Sequence, residues 1–343
     1  MLLRSLLAQK SGKNSIFVVN LLCLGLYCMS AWKKYYPVIK WMVLILSYGF
    51  LVYKIIEFVH NPAAASGWDD LSWSQGGWLL AAVLFLPVNV FIETTKWRYL
   101  VSGIELLNFK TALKSVMSGY ATGFFTPNRI GEYPGRAVYL SHENRWKGIT
   151  FGMVGTLAQT IILSLFGFFS FILLMGHRQF PFLADRALLM VIFGVEIAIA
   201  FSIYLSLPKL SHLVSRWNFS VKINTLLMWL GTFRSKQLAC VLLLAFARYA
   251  VFCLQLFCML HFCNIHITLW QGVVSISTFY LFLTFTPSIA FSEAAIRGSY
   301  AIIFVGMFSD NSVGIALAGV LVWLVNAVIP MIIGSVFFSK TKI

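Results

Sequence analysis

Arginine and glutamate side chains cluster with prolines and glycines in one stretch of an otherwise apolar chain, residues 124–136, which reads FFTPNRIGEYPGR. Arg129, Glu132 and Arg136 supply the charges, and Pro127 bars a continuous helix. An arginine fork binds phosphate at two points and stays charged near lipid. A glutamate there can orient an arginine or bind an amine. These residue types favour a polar pocket for an anionic group such as a lipid phosphate, over a loop whose arginines only set topology.

A second stretch, residues 285–298, repeats the order of the first. Phe-Thr-Pro ends at Pro287, Glu293 follows six residues later, and Arg297 stands four residues beyond that. At a spacing of four, Glu293 and Arg297 share one face of a helix and can form an ion pair. Broken helices from two repeats often meet near the bilayer midplane to form a solute path. We therefore expect the two stretches to line one polar cavity.

Two opposite charges stand near the middle of consecutive apolar segments. Glu196 is central in residues 187–207, and Arg248 is central in residues 238–260. Neither side chain can face lipid cheaply. We therefore predict that Glu196 and Arg248 contact one another, either as a structural ion pair or as part of a relay.

Membrane helices must position these charges. Of the 343 residues, 59% are hydrophobic and 11% are charged, against about 25% charged in a soluble domain. The predicted fold is all-α: a polytopic helical membrane protein with six to eight transmembrane helices, and with re-entrant or broken helices at the two Phe-Thr-Pro motifs. The segments at 16–32, 109–124 and 288–308 decide the number of spans. We expect a basic N-terminal segment with one short apolar helix over residues 1–37, and one transmembrane domain over residues 38–343.

The net charge of +15 lies in short loops between apolar segments. Such loops face the cytoplasm and contact anionic lipid headgroups. Lys96 and Arg98 follow an apolar segment as a cytoplasmic anchor, and Lys340 with Lys342 keeps the C-terminus inside. Membrane lipids are the expected partners, and a homo-oligomer or a partner enzyme stays open. Nucleic acid is not expected, because no large basic face exists outside the apolar segments.

Enzymatic and metal chemistry have weaker signals. Asp69 and Asp70 in an outer loop could hold a metal or act as a base, although a solvated turn is the commoner role of such a pair. His261, Cys263 and His266 lie close together without a CxxC pattern, so we predict ordinary packing there. No metal and no cofactor is predicted.

The sequence resembles the flippase-like membrane region of bacterial lysylphosphatidylglycerol synthases, and the free-standing proteins that consist of that region. The resemblance covers about residues 38–338. It rests on residues 96–100 (KWRYL), on residues 126–132 (TPNRIGE) with Gly135 and Arg136, and on Pro287 with Glu293. It implies a polytopic protein of a bacterial-type inner membrane that moves a polar-headed lipid between leaflets. Arg129, Glu132, Arg136 and Glu293 occupy the motif positions.

The chain departs from this family at three places. Asn128 stands where the family often has glycine, residues 288–292 (SIAFS) replace a glycine-rich run, and residues 322–324 (VWL) lack an arginine that the last span often carries. Lysine transfer, which a soluble domain performs in those synthases, is not expected of residues 38–338.

The expected function is binding, and translocation between leaflets, of a polar-headed lipid that is anionic or lipid-linked. One alternative is a membrane enzyme acting on lipid-linked substrates, such as a glycosyltransferase, which needs Asp69 or Asp70 at the mouth of a cavity. The other is an accessory subunit without transport, in which the polar motifs are packed shut.

Overall fold

The computed structural model describes residues 73–177, 186–209, 228–288 and 290–340, with isolated positions at 49, 56, 211 and 225. The chain divides into two compact units, Met1–Leu46 and Ser47–Ile343, and everything below concerns the second unit. The predicted segment at 1–37 and the pair Asp69 and Asp70 lie outside the described residues, as do residues 38–72 of the predicted transmembrane domain apart from positions 49 and 56.

The regular secondary structure of the described residues is entirely helical, as predicted, and no strand occurs among them. Ten α-helices are numbered here in chain order. They are α1 (Trp73–Val101), α2 (Phe109–Phe124), α3 (Glu132–Ala137), α4 (Arg145–His177), α5 (Arg186–Leu205), α6 (Ser235–Phe262), α7 (Leu269–Phe285), α8 (Ala290–Val305), α9 (Ser312–Trp323) and α10 (Ile329–Ser339). A π-helical turn, Leu324–Val328, joins α9 to α10.

Four helical segments of the described residues are long and apolar enough to cross a membrane. They are Gln75–Val101, His142–Gly176, Ser235–Phe262 and Ser312–Ser339. A crossing needs about 20 apolar residues, and these segments contain the apolar stretches of the sequence at 78–92, 148–175, 238–260 and 312–338. Met190–Leu205 and Leu269–Phe285 are shorter apolar helices. The chain is therefore a helical membrane protein.

Side-chain caps set where several of the helices begin. Asn108 accepts a hydrogen bond from the Thr111 backbone N–H at 2.7 Å, so α2 starts at residue 109. Thr268 and Gln271 form a reciprocal capping box at the start of α7. At the start of α9, Asn311 Oδ1 accepts a hydrogen bond from the Gly314 N–H at 2.9 Å. Each cap satisfies backbone donors that the first helical turn leaves unpaired.

The helices around the two motifs pack closely. α2 lies against α1, α3 and α10, while α6 packs mainly on α1, and α7 packs on α4 and α8. Gly334 of α10 lies directly against the backbone of Met117 in α2, where a side chain would not fit. The short α3 folds back on α2 to form a helical hairpin, with Thr122 donating a hydrogen bond to the Gly131 carbonyl at 2.8 Å. This hairpin holds the first motif against the rest of the helices.

Candidate functional site

At each Phe-Thr-Pro motif one helix ends, and another begins a few residues later. The first break, residues 125–131, separates α2 from α3, and the second break, residues 286–288, follows α7. Asn128 and Arg129 in the first break have φ angles of 49° and 58°. This left-handed conformation costs most L-residues about 1–2 kcal/mol, and asparagine tolerates it best after glycine. The fold therefore explains why asparagine can stand where the resembled family often has glycine.

The two breaks contact each other. The Asn128 N–H donates to the Ser288 carbonyl at 3.0 Å, and the Ser288 N–H donates to Asn128 Oδ1 at 2.9 Å. Arg129 Nη2 donates to both carboxylate oxygens of Glu293, at 2.8 and 2.9 Å. The prediction that the two distant motifs come together is confirmed. Pro127 opens the 3-10 turn Pro127–Arg129, whereas Pro287 lies in the second break.

A glutamate and an arginine four residues apart form an ion pair after each break. Arg136 donates to Glu132 in α3, and Arg297 donates to Glu293 in α8 at 2.9 Å. The predicted pairing of Glu293 with Arg297 is confirmed. The two stretches therefore repeat an ion pair at a spacing of four as well as the order of their residues.

A buried carboxylate in α1 gathers three cations. Glu93 lies 2.7 Å from Lys96 Nζ, 2.6 Å from Arg136 Nη1 and 2.6 Å from Arg248 Nη1. We call these four residues the Glu93 cluster. The side chains of Glu93 and Lys96 are only 3% and 2% exposed. Isolated charges are expensive to bury, so each of the three cations depends on the Glu93 carboxylate at close range.

Two sequence predictions need correction here. Arg248 does not pair with Glu196: it binds Glu93, donates to Asn89 Oδ1 at 2.8 Å, and donates to the Tyr120 hydroxyl at 3.1 Å. The physical reason is the rotation of α6, which turns Arg248 toward α1, whereas α5 packs mainly on α4 and leaves Glu196 exposed. Equal depth in the membrane did not make the two charges neighbours.

Lys96 is likewise not a surface anchor. It is buried, and Glu93 three residues earlier on the same helix face accounts for its burial. Arg98 is exposed and donates through Nε to the Leu107 carbonyl at 2.9 Å. The helix continues from residue 92 to residue 101, so Lys96 and Arg98 both belong to the helix rather than to a loop, and of the two only Lys96 is buried.

A cavity opens between the first break, α8 and the Glu93 cluster. Its polar lining consists of Arg129, Arg248, Arg297, Asn89, Asn326 and Tyr120. Its apolar lining consists of Leu86, Val90, Phe252, Trp323, Ala327 and Pro330. We call it the arginine cleft. Its volume of about 40 Å³ gives room for about three water molecules or for one small anion.

The predicted site residues divide into two groups. Arg129 and Arg297 line the arginine cleft, with Glu293 bonded behind both of them. Arg136 and Glu132 do not line it, because Arg136 points inward to Glu93 with its guanidinium carbon 5.7 Å from the centre of the Trp97 ring. The first motif therefore supplies one cleft residue and two supporting residues.

Sequence reasoning missed several residues of this site. Glu93, Asn89 and Asn326 were not among the predicted site residues. Asn89 and Asn326 bond to each other at 3.4 Å, and Asn326 donates to Gln255 Oε1 at 2.6 Å. The signal that could have revealed them is the presence of polar side chains inside long apolar helices, where such side chains face the protein interior or a wet cavity.

No cluster of three or more His, Cys, Asp or Glu side chains with a metal-binding arrangement occurs in the part of the chain that the structure describes. The ring of His261 packs against Trp78 and Phe257, with centroids 4.8 and 4.3 Å apart.

Comparison with known proteins adds no assignment. Neither a protein-family model nor a curated protein sequence matches this chain. The resemblance to the flippase-like region of lysylphosphatidylglycerol synthases accordingly stays a prediction, and the functional conclusion depends on the geometry of the arginine cleft.

Proposed function

We propose that this chain binds an anionic, polar-headed lipid through the arginine cleft and moves it between the two leaflets of the membrane. The observation that carries the proposal is a cleft lined by three arginines and no carboxylate, located where two broken helices meet. Arginine in a membrane protein is expensive unless it is paired or faces water, so its presence in a cavity is a strong indication of an ion or headgroup path.

The break geometry supports a path rather than a static core. Irregular backbone at membrane depth is tolerated where protein buries it or where it lines a wet cavity. Helix α2 has 16 residues and so is about 24 Å long, which is shorter than the hydrocarbon core of about 30 Å. We infer that the α2–α3 hairpin is re-entrant, and that the lipid headgroup approaches the cleft while the acyl chains stay in the bilayer.

The cleft also indicates how a headgroup would enter. A volume of about 40 Å³ admits a single phosphate but not a complete phospholipid headgroup. A larger group requires the two breaks to separate at the bond between Arg129 and Glu293. A phosphate can replace the Glu293 carboxylate as the partner of Arg129, since both present two oxygens that accept hydrogen bonds from the planar guanidinium. Opening and ligand binding would thereby be coupled.

The proposal includes a setting for the protein. It places six to eight helices across a bacterial-type inner membrane, with the C-terminus on the cytoplasmic side. Membrane lipids are the partners, and whether a second copy or a partner enzyme joins them stays open.

A leaflet assay tests the proposal. The full chain is reconstituted in liposomes that contain a fluorescent anionic phospholipid, and dithionite bleaching measures how fast the inner-leaflet lipid reaches the outer leaflet. We expect Arg129→Gln to slow this exchange about tenfold, because the variant loses a charge-assisted contact with the headgroup. Arg234→Gln is the matched control, because Arg234 is exposed and does not line the cleft.

Two results would contradict the proposal. One is a wild-type protein that does not accelerate exchange over empty liposomes. The other is an Arg129→Gln protein that unfolds at the wild-type temperature and still exchanges lipid at the wild-type rate.

A further inference from the structure

The carboxylates of the site all lie behind its arginines. Glu293 bonds Arg129 and Arg297, and Glu93 bonds Arg248, yet neither carboxylate lines the cleft. A ligand in the cleft therefore meets guanidinium groups, two amides and a phenol. Nothing in this lining would accept hydrogen bonds from, or neutralise, a ligand ammonium group in the way that a carboxylate does.

The charges of the site do not balance. The five cations are Lys96, Arg129, Arg136, Arg248 and Arg297, and the three carboxylates are Glu93, Glu132 and Glu293. An excess of two positive charges remains among these described residues. Uncompensated charge in a buried position is costly, so a ligand that brings two negative charges is favoured over one that brings a single charge or none.

Arg129 has donors to spare for such a ligand. In the described part of the chain its side-chain hydrogen bonds all run through Nη2, to the two oxygens of Glu293. Its Nε and Nη1 groups are left for a phosphate, and the side chain is 34% exposed and lines the cleft. Each of these donors can make a charge-assisted hydrogen bond to a phosphate oxygen.

Resting on the proposed function, we infer that the cleft selects lipids whose headgroup ends in a phosphate monoester or a diphosphate. A terminal phosphate carries about 1.5–2 negative charges at neutral pH, which matches the excess of the site. Phosphodiester lipids bring one charge, and zwitterionic lipids bring no net charge.

The test compares two lipids of nearly equal shape. Phosphatidic acid ends in a phosphate monoester, and phosphatidylmethanol differs from it by one methyl ester, which removes the second charge. Binding of each short-chain lipid to the full-length protein in a neutral detergent is measured at pH 8 by native mass spectrometry. Phosphatidylcholine and inorganic phosphate are measured alongside. We expect phosphatidic acid to bind about tenfold more tightly than phosphatidylmethanol, as one additional charge-assisted contact would give.

A variant pair connects this preference to the cleft. Arg297→Gln lowers the positive excess by one charge and should reduce the preference for phosphatidic acid to about twofold, because the remaining excess matches a monoanion. Arg234→Gln also removes one arginine charge, but outside the cleft, and should leave the preference unchanged. Loss of preference in both variants would attribute it to the net charge of the protein and would overturn the inference.

The outcomes separate this inference from the function on which it rests. Equal affinity for phosphatidic acid and phosphatidylmethanol overturns the selection of a doubly charged headgroup, while Arg129-dependent exchange of lipid would still support translocation. Inorganic phosphate that binds as tightly as phosphatidic acid, and competes with it, supports the charge selection but assigns the site to a soluble anion, which overturns lipid translocation. Binding of phosphatidylcholine as tightly as phosphatidic acid overturns the inference.

Discussion

The two broken-helix regions carry the same charged pair but use it differently. After the first break, Arg136 is 6% exposed and joins Glu132 to the Glu93 cluster. After the second break, Arg297 lines the arginine cleft, and its partner Glu293 is held by Arg129 of the first break. Residues at corresponding positions of the sequence echo are therefore not equivalent: one arginine supports the fold, and the other faces the cavity.

This difference shows what an internal repeat can and cannot reveal. The repeat correctly predicts that each region ends a helix at Phe-Thr-Pro and begins another with an ion pair. It does not predict which pair will be covered by neighbouring helices. The Arg136 side chain is covered because α3 folds back on α2 and packs on α4, while Arg136 itself reaches Glu93 in α1. The region after the second break lacks this arrangement, since α8 continues as a helix of 16 residues.

The largest expected effect separates the two arginines. Arg136→Gln leaves Glu93 and Glu132 without one of their cations in a buried position, and should lower the free energy of unfolding by about 3–5 kcal/mol. Arg297→Gln should lower it by about 1 kcal/mol, because Glu293 keeps Arg129. Denaturant unfolding of both variants in detergent measures the difference. Equal losses would show that the two pairs play the same role.

A smaller effect tests how tightly the first region is packed. A methyl group on Gly135 would meet the Thr122 side chain, so Gly135→Ala should cost about 1–3 kcal/mol of unfolding free energy. Gly103→Ala is the matched control, because nothing lies within 4 Å of a methyl group there. Thermal unfolding of the two variants provides the measurement. A Gly135→Ala protein as stable as the Gly103→Ala protein would show that the hairpin can relax.

Two substitutions at Asn128 separate the hydrogen bond between the breaks from the left-handed backbone conformation. Asn128→Gly keeps the left-handed backbone and loses the bond from the Ser288 N–H, which should cost about 1 kcal/mol. Asn128→Val loses the same bond and adds a conformational penalty, for a total of about 2 kcal/mol. Unfolding midpoints of the two variants, each compared with wild type, measure the step between them. If valine is tolerated as well as glycine, the left-handed conformation is not needed to hold the two breaks together.

The smallest effect concerns a carboxylate outside both regions. Although partial burial opposes the shift, hydrogen bonds from Asn144 and Ser141 lower the pKa of Glu105 below its ordinary value of 4.5. A carboxyl whose pKa is lower in the folded state stabilises the fold above its unfolded pKa, and this contribution is lost as the pH falls through the folded pKa. Glu105→Gln should change stability by about 0.5 kcal/mol at pH 7, and by less at pH 3. Thermal unfolding at both pH values checks this, and a change that grows toward pH 3 would contradict it.

The sequence predicted the all-α fold, the helix breaks and the contact between the two motifs. Apolar runs and prolines determine helices and their ends locally, and the cost of burying unpaired charges brings the two motifs together. The Phe109–Phe124 helix has the predicted bounds. The partners of buried charges were not predictable in the same way. Hydropathy gives the depth of Arg248 in the membrane, but the rotation of α6 decides whether it meets Glu93 or Glu196. The apolar stretch at 78–92 also ends before the helix does, so the sequence placed Glu93 and Lys96 outside a helix that continues to Val101.

The π-helical turn at Leu324–Val328 ties the chemistry of the cavity to the length of the last helix. A turn of this kind holds one residue more than regular α-helix accommodates. Deleting that extra residue would return the segment to regular α-helix and leave the helices on its two sides in phase, because the bulge alone absorbs the residue. Asn326 lies inside the turn and lines the cleft, whereas Gly334 lies beyond it, against Met117. Natural variants that have lost the extra residue should therefore displace the asparagine from the cavity and keep the facing glycine.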